Sequence, residues 1–304
     1  MGFQQGFRIN TNTASLNTYR SYAASQAGME QNIERLSSGL RINKASDDAA
    51  GLAISDRMDN QIRGMQQANR NVQQGNNLLQ TAEGAMNEVG NILGRMRELA
   101  VQAASDTVSN DDRASIDLEF EQLKSEIDRI AKSTSYNGMG LVDGSSDGTS
   151  EKITLQVGAD NNSQDQLSFN LADFRVTDTD GSTAITTFAG ASLTTDGSTG
   201  TNFKALDLAT SANSQTAITS LDEAIEAVND QRATVGALQN RLEFTSSNLM
   251  SSIQNNSASV STIRDADFAA EAADLAKNQI LVQSGTSMLA QANGLSQNVL
   301  ALIR

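Results

Sequence analysis

The 304-residue sequence contains no proline, cysteine, histidine or tryptophan. Because ordinary proteins contain about 5% proline, its absence removes the commonest helix breaker and permits long helices. Without histidine and cysteine the chain cannot form Ser-His-Asp or Cys-His catalytic sites, or zinc sites with imidazole or thiolate ligands. The lack of cysteine also excludes a small secreted fold held by disulfides. We therefore expect no enzyme, no metal site and no cofactor.

Positive charge is also scarce, since the formal net charge is −14 and the isoelectric point is near 4.4. Such a chain has no basic stripe for a phosphate backbone, which argues against nucleic-acid binding. The first ten residues, MGFQQGFRIN, lack the apolar run of a cleaved signal peptide. No charge lies between Lys277 and Arg304, but amide side chains interrupt this stretch, so no membrane span is expected.

A long apolar repeat is the strongest pattern that the sequence does contain. The spacing of four and three residues persists from Met65 to Ala103, which at 1.5 Å per residue predicts a helix about 58 Å long. Its members are Met65, Ala68, Val72, Gly75, Leu79, Ala82, Met86, Val89, Leu93, Met96, Ala100 and Ala103.

Two further amphipathic helices are predicted, one from about Ile116 to Ile130 after a cap at Asn110 or Asp111, and one from Ile218 to Ile253. Helices with single apolar stripes bury them against one another. Between them, EKITLQV and LSFNL alternate apolar and polar residues around a turn-rich connector, which predicts a β-hairpin. Residues 175–213 are rich in Thr, Ser, Gly and Asp and are interpreted as a short exposed variable segment.

The last helix carries a second apolar stripe, and we predict a subunit interface on it. Burying its larger side chains would contribute roughly 1.5 to 3 kcal/mol each, or about 7 to 15 kcal/mol in total. The first partner expected for the stripe is the weaker amphipathic stretch at the N-terminus, and the second is another copy of the chain. The five larger residues are Leu281, Met288, Leu295, Val299 and Leu302.

Several long motifs at both ends of the chain resemble bacterial flagellin. On the N-terminal side these are INTNTASLN, ERLSSGLRINKASDDAAGLAISDRM, LLQTAEGAMNEV and RMRELAVQAA. On the C-terminal side they are AVNDQRATVGALQNRLE and the whole of IRDADFAAEAADLAKNQILVQSGTSMLAQANGLSQNVLALIR. The resemblance implies a structural subunit of the flagellar filament, which leaves the cell unfolded through a type III export channel and self-assembles head to tail outside it.

The resemblance also implies a fold and partners. The expected fold is mainly α, a long coiled-coil-like helical bundle formed by both chain ends with a small β-hairpin region in the middle. The expected partners are other copies of the chain, an export chaperone at about 263–304, the filament cap and hook-junction proteins, and a host flagellin receptor. A hook-filament junction protein and a secreted coiled-coil adhesin are the alternatives.

The domains expected from the resemblance follow the two chain ends. Residues 1–42 and 262–304 would form an inner terminal-helix domain, 43–60 an ordered connector, and 61–174 with 214–261 a helical rod domain whose hairpin spans about 151–172. In the connector we expect polar contacts within and between subunits from Arg41, Lys44, Asp47 and Asp48. The receptor contacts would fall on Arg95, Leu99 and Glu119, although contacts between subunits or with solvent are the preferred primary role of Arg95 and Glu119.

Overall fold

The computed structural model describes residues 12–144, 152–176, 187–188, 191–192 and 206–302. The chain divides into two compact units, a terminal unit within residues 1–61 and 254–304 and a middle unit within residues 62–253. The helices of the described residues are α1 (Thr13–Ser38), α2 (Ala49–Ala103), α3 (Asn110–Ser133), α4 (Ser211–Arg264) and α5 (Phe268–Leu302). The mainly α fold class is confirmed.

The middle unit is built on the predicted repeat of α2. All twelve predicted seam residues between Met65 and Ala103 are buried, as are Phe120 and Ile127 of α3 and Leu221, Val228 and Val235 of α4. The seam keeps one face of α2 turned inward along its whole length because the repeat of seven residues matches two helical turns. This face is the core of the middle unit.

The turn from α2 to α3 is held by a buried arginine. Arg113 donates from Nε to the Ala103 carbonyl and from Nη2 to the Ser105 carbonyl, both at 2.8 Å. These bonds satisfy carbonyls that the end of α2 leaves without helical partners. The cap of α3 is Ser109, whose hydroxyl accepts from the Asp112 N–H at 3.2 Å, so the predicted cap at Asn110 or Asp111 was wrong by at least one residue.

Short antiparallel strand pairs make up the β structure of the described residues. The predicted hairpin is confirmed as β3 (Ile153–Gln156) and β4 (Gln166–Phe169), with Ile153 opposite Phe169 and a 3₁₀ turn at Ser163–Asp165 between them. A second hairpin joins β1 (Ser135–Tyr136) to β2 (Met139–Gly140), and β5 (Thr187–Phe188) pairs with β6 (Ala191–Ser192). Residues 177–186, 189–190 and 193–205 of the predicted variable segment lie outside the described residues.

The backbone that leads into α4 is held by two charged side chains of α3. Lys124 is buried, and its ammonium donates to the Leu206 carbonyl at 2.8 Å and to Glu121 at 2.6 Å. Asp117 accepts from the Leu208 N–H at 2.8 Å. Beyond β4, the Phe174 N–H donates to the Val142 carbonyl at 3.0 Å, and the Phe174 ring is fully buried. The stretch between 174 and 206 is therefore anchored at both ends.

The terminal unit contains α1, α5, the beginning of α2 and the end of α4. Helix α1 begins after Asn12, whose side chain accepts from the Ser15 N–H, and it ends at Gly39, which adopts a left-handed conformation with φ of 72°. Helices α1 and α5 are antiparallel, since Asn12 contacts Ala292 at one end and Arg35 contacts Glu271 at the other. Phe3 and Phe7 lie outside the described residues.

Candidate assembly surfaces

Two connectors of the terminal unit run side by side, one between α1 and α2 and the other between α4 and α5. Leu40 and Asp265 form an isolated antiparallel bridge. The Arg41 N–H donates to the Arg264 carbonyl at 2.7 Å, and the Ala266 N–H donates to the Gly39 carbonyl at 3.0 Å. Helix α2 begins at Ala49, so residues 49–60 of the predicted connector are helical. The non-helical backbone between α1 and α2 spans residues 39–48.

All four predicted connector residues make contacts within the chain. Arg41 Nη2 donates to the Ile263 carbonyl at 2.7 Å, and Lys44 pairs with Glu34 at 2.6 Å. Asp47 Oδ2 accepts from the N–H groups of Lys44 at 3.0 Å and Asn43 at 3.1 Å. Asp48 Oδ1 accepts from the Gly51 and Ala50 N–H groups at 2.9 and 3.1 Å, which caps the start of α2.

These contacts change how two of the groups titrate. The hydrogen bond from Lys44 to Glu34, together with its charge, raises the pKa of the Lys44 ammonium. The backbone N–H groups of Lys44 and Asn43 lower the pKa of the Asp47 carboxyl. Both shifts favour the charged forms, in which Lys44 and Asp47 make the contacts described above.

Sequence reasoning missed the arginines on either side of these connectors. Arg264 Nη1 lies 3.3 Å from Asp59 and 3.6 Å from Asp56, two carboxylates three residues apart on α2. Arg35 pairs with Glu271 at 3.3 Å. The spacing of Asp56 and Asp59 was a signal that both lie on one helix face, but their partner lies about two hundred residues away in sequence.

The apolar stripe of α5 divides into two rows. The smaller residues Gly285 and Ala292 lie beside α1, since a Cβ atom on Gly285 would be 3.2 Å from Tyr22 Cδ2 and the Ala292 carbonyl accepts from Asn12 Nδ2 at 3.0 Å. The larger residues Leu281 and Met288 are 44% and 56% exposed. The side chains of Leu295, Val299 and Leu302 lie outside the described residues. On α1, large apolar side chains are likewise turned outward, at 52% exposure for Leu16, 61% for Tyr19 and 49% for Ile33.

The predicted receptor residues lie in the middle unit. Arg95 Nη2 and Nε donate to Glu119 at 2.9 and 3.1 Å, and Nη1 donates to Glu98 at 3.0 Å. These hydrogen bonds, to Glu119 first, raise the pKa of the Arg95 guanidinium. The side chains of Arg95 and Glu119 are about half exposed, whereas Leu99 is only 2% exposed and packs in the core.

Two family models match the chain, on either side of its middle. Residues 9–147 match the bacterial flagellin N-terminal helical region, and residues 218–303 match the bacterial flagellin C-terminal helical region. The chain belongs to the bacterial flagellins. Its flagellin relatives include one from Halalkalibacterium halodurans, 42% identical over 97% of this chain and 99% of the relative.

Another relative, the flagellin of Bacillus subtilis, is 43% identical over 98% of this chain and all of its own length. A crystal structure of Bacillus cereus flagellin is 36% identical, covers 59% of this chain and 88% of its own, and superposes with a TM-score of 0.45. As a member of the bacterial flagellins, the chain is a structural subunit of the flagellar filament that polymerises with itself, and it is not an enzyme. The junction-protein and adhesin alternatives are not favoured. No helix in the described ranges is long and apolar enough to cross a membrane.

Proposed function

We propose that the outward apolar rows of α1 and α5 are the surface through which subunits join head to tail. The observation that carries this proposal is the exposure of Leu281 at 44% and Met288 at 56% although α5 is already paired with α1. Burying such side chains contributes roughly 1.5 to 3 kcal/mol each. A head-to-tail contact of this kind does not close, so it propagates into a helical filament. Leu295, Val299 and Leu302 continue the stripe in sequence.

Seeded elongation tests this surface with a matched pair of methionines. Met288 on α5 is 56% exposed and Met250 on α4 in the middle unit is 55% exposed. With short filament seeds, Met288→Ala monomers should elongate about tenfold more slowly, the change that 1.4 kcal/mol produces. Met250→Ala monomers should elongate close to the wild-type rate. Normal elongation by Met288→Ala would remove α5 from the interface.

We further propose that an export chaperone covers residues 263–304 before assembly and that the filament is extracellular. The apolar rows support a chaperone, because they would otherwise drive early association. The cap and hook-junction proteins would bind the same surface at the two ends of the filament. A chaperone that binds Met288→Ala as tightly as wild type in calorimetric titration would count against a shared surface.

The connector is proposed to lie between two radial layers, the inner one at residues 1–42 and 262–304 and the outer one at 61–174 and 214–261. Asp48 is a poor probe of contacts between subunits there, because its carboxylate caps α2 within the chain. Lys44 is a better one, since its side chain is 62% exposed. Lys44→Gln should lower the melting temperature of the filament by more than that of the monomer, in which the exposed pair with Glu34 contributes no more than about 1 kcal/mol. Equal shifts in both would show a contact within the chain alone.

Arg95, Leu99 and Glu119 are proposed as the host receptor site, with Arg95 and Glu119 at the surface and Leu99 supporting them from the core. About half of the side-chain surface of Arg95 and of Glu119 is exposed, which supports this assignment. Arg95→Ala should reduce the response in a receptor reporter assay. The control is Arg129→Ala, which removes a similar exposed pair with Glu126 on α3. A full response from Arg95→Ala would refute the site.

A further inference from the structure

One aromatic side chain on α4 projects away from the core of the middle unit. Phe244 is 77% exposed, more than any other large apolar side chain among the described residues. Leu242, two residues before it, is fully buried, and Ser246, two residues after it, donates from its hydroxyl to Asn69 Oδ1 of α2 at 2.7 Å. Because two residues turn a helix by about 200°, Phe244 faces the opposite way. Its ring therefore gains little from the folding of its own chain.

A groove of about 440 Å³ lies between α2 and the hairpins formed by β1–β2 and β3–β4. On α2 it is lined by Gly75, where an added Cβ atom would press against Leu155 Cδ1. Its apolar lining residues are Leu78, Tyr136, Met139, Ile153 and Leu155. Because a cavity of about 150 Å³ holds one benzene ring, this groove has room for an aromatic side chain.

The ring and the groove of one chain lie on different sides of α2. Asn71 Nδ2 donates to the Gln156 carbonyl of β3 at 3.1 Å, on the side of α2 that carries the hairpin. Asn69, which contacts α4, precedes Asn71 by two residues and so lies on a nearly opposite face. Phe244 therefore does not reach the groove of its own chain. A ring and a groove at different places on one unit form a heterologous contact, which continues from copy to copy.

Both surfaces lie where the acidic middle unit lacks negative charge. Residues 60–82 of α2 include no Asp or Glu, and residues 244–263 of α4 include no charged residue. Among the described lining residues of the groove, Lys152 is the one that carries a charge. Just before the ring, Arg241 and Glu243 are exposed, and Glu243 has the charge opposite to that of Lys152. Copies of the chain can therefore approach each other here without the repulsion that acts elsewhere on this unit.

We propose that Phe244 of one copy inserts into the groove of a neighbouring copy, with Glu243 beside Lys152. The chain polymerises with itself as a member of its family, so copies meet at high local concentration throughout the filament. Buried aromatic anchors dominate the binding energy of many interfaces. This contact belongs to the middle unit and does not depend on the apolar rows of α1 and α5.

The first measurement is the critical concentration for growth of filaments from seeds. Phe244→Ala should raise it about tenfold, the change that 1.4 kcal/mol produces. The control Met250→Ala should leave it near the wild-type value, because Met250 is 55% exposed but lies about 120° around α4 from Phe244. Urea unfolding of the Phe244→Ala monomer should match that of the wild type. An unchanged critical concentration would overturn the proposal.

The second measurement identifies the site that the ring enters. Because the chain has no cysteine, the double variant Phe244→Cys, Met139→Cys carries two thiols. Filaments grown above the critical concentration of this variant are treated with a short bis-maleimide and then dissolved. Crosslinking should give a ladder of dimers, trimers and longer chains, since each copy joins two neighbours. The control Met250→Cys, Met139→Cys should give no ladder.

Three further outcomes would overturn the proposal. A raised critical concentration without a ladder would mean that the ring is buried somewhere other than the groove. Equal ladders from the Phe244→Cys and Met250→Cys pairs would show crowding without a specific contact. In the single variant Met139→Cys, alkylation that is as slow in the monomer as in the filament would mean that the chain fills its own groove.

The two interface proposals fail separately, because their variants lie in different units. Normal elongation by Met288→Ala together with the ladder from Phe244→Cys, Met139→Cys would refute only the surface on α1 and α5. Slow elongation by Met288→Ala without that ladder would refute only the insertion of Phe244.

Discussion

The terminal and middle units bury their apolar residues to very different extents. In the middle unit, continuous rows of Leu, Met, Val, Ile and Phe side chains are buried along α2, α3 and α4. In the described part of the terminal unit, Ile42 is the one buried hydrophobic side chain, together with the polar residues Asn32 and Ser55. A unit without an apolar core gains little from folding alone. The middle unit can therefore be stable in a monomer, whereas we expect the terminal unit to be completed by neighbours.

The two units also differ in charge. The terminal unit has nine Lys and Arg residues against ten Asp and Glu residues, and the middle unit has thirteen against twenty-six. Nearly neutral surfaces pack together without strong repulsion, while an acidic surface stays hydrated and repels its copies. We therefore expect copies of the chain to associate through the nearly neutral terminal unit, whereas the acidic middle unit stays hydrated.

The largest expected effect is on the free energy of unfolding of the monomer. Leu93 is fully buried in the middle unit, so Leu93→Ala should lower this free energy by about 2 to 5 kcal/mol. The matched change in the terminal unit, Leu281→Ala, should alter it by no more than about 0.5 kcal/mol, because that side chain is exposed. Urea unfolding measures both. Equal losses would mean that α5 already contributes a core to the monomer.

A smaller loss is expected when the buried cation of the middle unit is removed. Lys124→Met leaves the Leu206 carbonyl without its donor and should cost about 1 to 3 kcal/mol. Lys132→Met on the same helix removes an exposed pair with Asp128 and should cost no more than about 1 kcal/mol. Hydrogen exchange of residues 206–210 should also accelerate in Lys124→Met. If the two variants were equally stable, the Lys124 contact would not anchor the chain.

Added salt should speed assembly several-fold, because it screens the negative charge of the middle unit. Raising the ionic strength from about 0.01 to 0.15 M shortens the Debye length from about 30 to 8 Å, which screens repulsion between arriving subunits. The double variant Glu226→Gln, Asp230→Asn removes two exposed charges and should weaken this dependence. Seeded elongation by light scattering at each ionic strength gives the slope. A rate independent of salt would show that middle-unit charge does not limit assembly.

The smallest effect concerns the protonation of Asp47. Backbone hydrogen bonds from Lys44 and Asn43 should hold its pKa below the ordinary 3.8 in the folded terminal unit. Because the folded pKa is lowered, the contribution of this group is present above its unfolded pKa and is lost as the pH falls through the folded pKa. Carboxyl chemical shifts in an NMR titration report this value. An ordinary pKa in the monomer would indicate that the connector forms only in the filament.

Much of the middle unit was predictable because its patterns are local. The repeat from Met65 to Ala103 fixes the inward face of α2, and the alternation around Ile153 and Phe169 fixes the register of its hairpin. The smaller hairpin was missed although Asn137-Gly138 is a strong turn signal. Their φ angles of 52° and 80° match the turn type that this dipeptide favours.

The terminal unit was less predictable because its contacts join residues that are far apart in sequence. More than one row of α5 has the correct spacing to face α1, and the row that does so makes its contacts with Arg35 and Tyr22, more than two hundred residues away in sequence. The four connector residues were recognised from their clustering, but their partners at Glu34, Ile263 and the start of α2 were not. Local sequence identifies which side chains are polar and leaves open what they bond to.

The anchors at Phe174 and Leu206 have a consequence for how the chain can evolve. They hold the backbone through a buried ring, a buried ammonium and main-chain bonds that involve no residue between them. Substitutions, deletions or added residues in the sequence from 177 to 205 therefore leave both groups of anchoring contacts unchanged. A lineage can vary this part of its sequence while the residues that hold Phe174 and Leu206 stay the same.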